Sequence, residues 1–115
     1  GVLVAIASHI DSFCLNIASD LEIVWVCLGT NHMKWIMGVC YRPPSCSSSF
    51  IKALQDSINL VVIRFPSSPI FLLGDFNYPD IVWTGNNPPT GTPSSASSEC
   101  NDFVSLCLDF CFTQL

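Results

Sequence analysis

The feature that most constrains this chain is an ordered succession over residues 33–75: an apolar extended run, a double proline, an amphipathic helix pattern and a second apolar run. Residues 33–41 predict a strand, and Arg42-Pro43-Pro44 ends it, because neither proline can donate to a ladder. Ser47, Ser48 and Ser49 offer N-caps for the next element. Phe50, Ile51, Leu54, Ile58, Val61 and Val62 then recur at helical spacing, with Lys52, Gln55, Asp56 and Asn59 on the other side, so a helix is expected to about Arg64. Pro66-Ser67-Ser68-Pro69 closes it, and Ile70, Phe71, Leu72 and Leu73 form a short apolar run of the kind covered on both faces. A strand, a crossover helix and a second strand in one sheet make those strands parallel, so both end on the same edge. Tyr41, at the end of the first strand, is therefore expected beside the end of the second.

That second strand runs into Gly74-Asp75-Phe76-Asn77-Tyr78-Pro79-Asp80. If the chain stays extended, the two-residue period points Asp75 and Asn77 the same way and Phe76 the other, where it can anchor the turn in the core. Gly74 lets a ligand approach the backbone closely. An acid and an amide at the carboxyl end of a central strand suit a hard cation and a phosphate oxygen, and the Tyr41 phenol completes a phosphate- and metal-binding set. Gly, Asp, Asn and Pro are also ordinary turn formers, and Tyr41 is also an ordinary strand-end aromatic, so the residues alone leave a plain strand-to-turn junction open.

Upstream, residues 1–7 read as strand-like, residues 8–20 as a polar and apolar mixture, and residues 21–28 as a strand that pairs antiparallel with residues 33–41 through Gly29-Thr30-Asn31-His32. His9 and His32 read as loop or edge residues, and Glu22 as a strand-start carboxylate facing solvent rather than a ligand. Downstream, Ile81-Val82-Trp83 is expected to pack on the sheet, residues 84–98 to form an exposed mobile loop rich in Gly, Pro, Asn, Thr and Ser, and Ser98 or Asn101 to cap a last helix. Phe103, Leu106, Cys107, Phe110 and Cys111 supply its apolar stripe.

Half of the 115 residues are hydrophobic and 11% are charged, too apolar for a disordered chain and rather apolar for an intact surface. Both ends read as cuts through a longer domain whose partner surface is missing, so residues 1–115 are taken as one partial domain. No apolar run predicts a membrane span or a signal peptide. The net charge of −5, with Lys34, Arg42, Lys52 and Arg64 scattered, argues against a non-specific DNA-binding surface on these residues but not against an acidic site where a cation meets a phosphate. Seven cysteines with no Cys-x-x-Cys spacing suggest neither a disulfide framework nor a zinc ribbon. Cys107 and Cys111, one helical turn apart, read as buried small side chains rather than metal ligands. A reducing, intracellular compartment fits this usage.

Tyr41-Arg42-Pro43-Pro44, followed by Leu73-Gly74-Asp75-Phe76-Asn77-Tyr78-Pro79-Asp80-Ile81-Val82-Trp83 and then Phe103 through Gln114-Leu115, resembles the apurinic-type endonuclease domain of non-LTR retrotransposons, within the endonuclease/exonuclease/phosphatase superfamily. The resemblance spans nearly the whole chain, and it is the two motifs in this order that make it specific. It implies an α/β (α+β) fold, part of a four-layer sandwich of mixed sheets flanked by helices. It further implies a Mg²⁺ or Mn²⁺ cofactor, DNA as substrate, a reverse transcriptase domain on the same polyprotein, no small-molecule cofactor, and a nuclear or cytoplasmic setting.

By the same resemblance Asp75 acts near the attacking water or leaving oxygen and touches the metal indirectly, Asn77 contacts the scissile phosphate, and Tyr41 donates to it. The family's upstream Asn, its metal-binding Glu and its terminal Ser-Asp-His have no counterpart in this sequence, so the chain is expected to be inactive by itself. Phosphoinositide and sphingomyelin phosphodiesterases share the Gly-Asp-x-Asn element and stand as an alternative, as does a non-catalytic decayed remnant.

Overall fold

Alternation along two strands and the turn between them builds the middle of the sheet. In the computed structural model, which describes residues 1–83 and 97–115, β2 (Glu22–Gly29) and β3 (Lys34–Tyr41) pair antiparallel from Glu22↔Tyr41 to Gly29↔Lys34. A short β1 (Ser12–Leu15) adds antiparallel to β2, and β4 (Ile70–Asp75) adds parallel to β3, from Ile36↔Ile70 to Tyr41↔Asp75. The order is β1-β2-β3-β4, a mixed sheet with β4 at one edge. Helix α1 (Phe50–Arg64) makes the crossover between β3 and β4, and α2 (Ser98–Asp109) comes after β4 in the chain.

Register decides which side chains meet the helices. Trp25, Cys27, Ile36 and Cys40 point to one face and are buried with Phe50, Leu54, Ile58 and Val61 of α1 and Cys100, Phe103, Leu106 and Cys107 of α2. The Trp25 indole donates to the Ser57 hydroxyl at 2.8 Å, so the polar atoms of this contact are satisfied. Gly38 is the β3 partner of Trp25, and a Cβ there would lie 2.5 Å from the indole ring, so only glycine admits the ring onto the sheet. On the opposite face Trp35, Phe71 and Leu73 remain 47%, 41% and 47% exposed, with the Trp35 and Phe71 rings 6.2 Å apart. The sequence expectation of strand coverage on both faces of β4 is therefore met on the helix side alone: Ile70 and Leu72 are half-buried there.

Several expectations are corrected. Residues 1–7 alternate between exposed and half-buried but pair with no strand; Asp11 and residues 12–15 take the β2 edge instead, where Gly29 N–H donates to Asp11 C=O at 2.8 Å. Apolar alternation signals a two-sided environment, and a ladder partner decides whether a strand forms. Ser49 occupies the N-cap of α1 and Ser97 that of α2, neither with a side-chain capping bond, so Ser98 and Asn101 are not caps. Val62 lies outside the buried stripe of α1, whereas Ser57 lies within it. Cys111 falls beyond α2 at a φ of 55° and is exposed, so the expectation of a buried thiol holds for Cys107 and not for Cys111. The loop expected over residues 84–98 lies outside the described residues, apart from Ser97 and Ser98, and Ser98 already opens α2.

Candidate functional site

The last row of the sheet on the face away from the helices reads Glu22, Tyr41, Asp75, each the register partner of the next. The crossover expected from sequence thus sets Tyr41 directly beside Asp75 at the carboxyl ends of two parallel strands. Asp75 is exposed and Tyr41 half-buried, so the carboxylate stays in water while the tyrosine is partly covered.

The turn after Asp75 departs from the extended path. Gly74 has a φ of +146° and lies against the Cys40 carbonyl, so close that no side chain fits. Asn77 has a φ of 51°, in the left-handed region that Asn tolerates better than most residues. Its backbone N–H donates to Asp75 Oδ1 at 3.0 Å, closing an Asx turn, and its side-chain Nδ2 donates to the Arg42 carbonyl at 2.6 Å. The expectation that Asn77 simply repeats the orientation of Asp75 along an extended strand is therefore corrected: β4 ends at Asp75, and a local hydrogen bond outcompetes the ladder. One Asn77 amide proton is committed to Arg42, and the second is chemically able to meet an anion. Phe76 does anchor the turn, its ring 4.9 Å from that of Phe103.

An open groove of about 910 Å³ runs along β4, lined among others by Asp75, Asn77, Trp83, Phe103 and Phe112. Hard cations take six or more oxygen ligands or keep several waters. Among the described residues no group of three or more His, Cys, Asp or Glu could hold a metal ion. Asp75 by itself does not make a complete resident-cation site.

The sequence reading passed over Arg42, Tyr78 and Glu99, which adjoin this turn. Arg42 is 5% exposed and forms an ion pair with Glu99 at 3.0 Å, and Tyr78 donates its hydroxyl to the other Glu99 oxygen at 3.2 Å. Burial pushes the Tyr78 phenol above its ordinary range; the Arg42 guanidinium opposes this and the Glu99 carboxylate adds to it, and with the net rise the phenol remains a donor. The available signal was an arginine directly after the site tyrosine in a chain with four Lys+Arg. Nothing local to Glu99 marks it as its partner.

Burial also raises two thiols, Cys40 and Cys107, from 9.0 to about 11. Their folded values exceed their unfolded ones, so the stabilisation they report is complete below about pH 9 and is lost as pH rises toward about 11. Urea midpoints are expected to fall across that window, and the Cys40→Ala/Cys107→Ala double variant should flatten the decline. An equally steep decline in that variant would assign it to other groups.

A mixed sheet backed by helices, with an acid-amide turn at the carboxyl end of a parallel strand, defines an α/β architecture. The family described as Endonuclease-reverse transcriptase matches residues 35–114, and this chain belongs to that family. Among solved structures it is similar to the endonuclease domain of TRAS1, a telomere-specific non-LTR retrotransposon, with a TM-score of 0.64 and 13% identity. That likeness covers 90% of this chain and 42% of the other, so the chain spans less than half of that domain's length. No match is found among curated proteins. No helix among the described residues is long and apolar enough to cross a membrane.

Proposed function

We propose that this chain is part of a DNA phosphodiester endonuclease domain of a retrotransposon polyprotein, with a reverse transcriptase domain on the same polyprotein, working with Mg²⁺ or Mn²⁺ in the nucleus or cytoplasm. The observation that supports this reading best is the pairing of Tyr41 with Asp75 beside the Asn77 turn. In this reading the Asp75 carboxylate accepts a proton from water or orients it toward the phosphorus. The second Asn77 amide proton and the Tyr41 hydroxyl donate to phosphate oxygens as negative charge grows on them. Donors fixed before the reaction stabilise that charge without reorganising. The cation belongs to the complete domain, since the described residues do not fit a full site for it.

The 115-residue chain with Mg²⁺ or Mn²⁺ is expected to leave supercoiled plasmid intact. Metal-dependent nicking that disappears in Asp75→Ala would overturn the expectation of inactivity. In a complete domain carrying this segment, Asp75→Ala is expected to slow nicking about 100-fold. An unchanged rate there would remove Asp75 from the chemistry.

A further inference from the structure

Arg42 holds Asn77 from both of its ends. Its backbone carbonyl accepts from Asn77 Nδ2 at 2.6 Å, and its guanidinium Nη1 donates to the Asn77 carbonyl at 3.3 Å. Its backbone N–H donates to the Asp75 carbonyl at 2.9 Å, extending the β3-β4 ladder by one bond past Tyr41. The guanidinium is itself fixed. Its carbon lies 4.2 Å from the centre of the Tyr78 ring and 5.6 Å from that of Phe50, while Nη2 donates to Glu99 Oε2 at 3.0 Å. Glu99 sits in the first turn of α2, where the helix dipole favours a carboxylate, and its second oxygen accepts from Tyr78. One closed circuit thus joins β3, the Asp75-Asn77 turn, α1 and α2.

We infer that Arg42, fixed by Glu99 and Tyr78, is the positioning residue that holds Asn77 in its left-handed turn and aims its side-chain amide. The inference rests on the proposed role of Asn77 as a phosphate-contacting amide, and it concerns what places that amide rather than the amide itself. A planar fork reaches Glu99 and the Asn77 carbonyl at once, which a lysine ammonium cannot. Burying a guanidinium where a hydrophobic side chain would fill the same space is costly, and the compensation here is one fixed orientation of the turn. Arg42 Nε is buried without a hydrogen-bond partner among the described residues, so the guanidinium is placed for the two contacts made by its terminal nitrogens rather than for its own full satisfaction.

The test compares Glu99→Gln, Tyr78→Phe and Arg42→Lys with the wild-type chain by nuclear magnetic resonance. It tracks water exchange of the Asn77 side-chain amide protons, with the Trp25 indole N–H, bonded to Ser57, as the remote reference. In Glu99→Gln the Asn77 amide should exchange about tenfold faster while the Trp25 proton keeps its wild-type rate, as expected of local rather than global opening. Tyr78→Phe should show a smaller change in the same direction. Arg42→Lys should show the largest, and if it fails to fold the two milder variants decide. Unchanged Asn77 exchange in folded Glu99→Gln, or equal acceleration at Asn77 and Trp25, would overturn the inference. Titration with inorganic phosphate separates the two readings: wild-type Asn77 amide signals that ignore phosphate would remove the phosphate role and leave the exchange result standing.

Discussion

Replacing Gly74 with alanine is expected to destabilise the fold by roughly 3–5 kcal/mol, because a strained backbone and a direct collision fall on one residue. At a φ of +146° any side chain is strained, and here the added Cβ runs into the carbonyl of Cys40, the strand partner of Gly74. Relief requires β4 to move away from β3 at the very row before Tyr41↔Asp75. The damage should therefore be directional. The β2-β3 pairing and the Trp25-Ser57 bond survive, while the bond from Arg42 N–H to the Asp75 carbonyl and the Asn77 turn are lost. Urea unfolding measures the total, and amide exchange along β3 and β4 shows where it falls. A variant within about 1 kcal/mol of wild type would mean that the turn relaxes freely, and the close approach of the two strands would lose its significance.

How much of this was legible beforehand depends on the range of the forces involved. The crossover from β3 through α1 to β4 could be read because proline chemistry, helical spacing and an apolar run are local signals that agree. From it the adjacency of Tyr41 and Asp75 came by topology alone. Residues 1–7 misled because their alternation is as good as that of a strand, and the choice of β1 was made by pairing to β2, a non-local event. Asn77 misled for the opposite reason. An Asx turn two residues long overrode the extended period, and the sequence Gly-Asp-Phe-Asn serves a strand end and a turn equally well. Glu99 was invisible because its meaning comes from Arg42, far away in the chain, reached across residues 84–96 that lie outside the described structure.

Substituting Arg42 by methionine is expected to cost about 3 kcal/mol, since it strands the Glu99 carboxylate in a largely covered position without its cation. The Glu99 side chain retains 22% exposure, so the loss should stay below that for a fully enclosed pair. The informative comparison is the double variant Arg42→Met/Glu99→Met. With no charge left to strand, and with two flexible apolar side chains beside Phe50 and Tyr78, it should recover most of the loss, giving a coupling energy of about 1.5 kcal/mol or more between the two positions. Urea midpoints of the four proteins measure it. If the pair merely filled space, the double variant would regain both stability and Asn77 protection. If it serves position, the double variant should melt near wild type and yet keep fast exchange at the Asn77 amide, because neither methionine can hold the Asn77 carbonyl. A double variant with both stability and Asn77 protection restored would reduce Arg42 to packing, and a double variant as unstable as Arg42→Met would show that Glu99 was never its energetic partner.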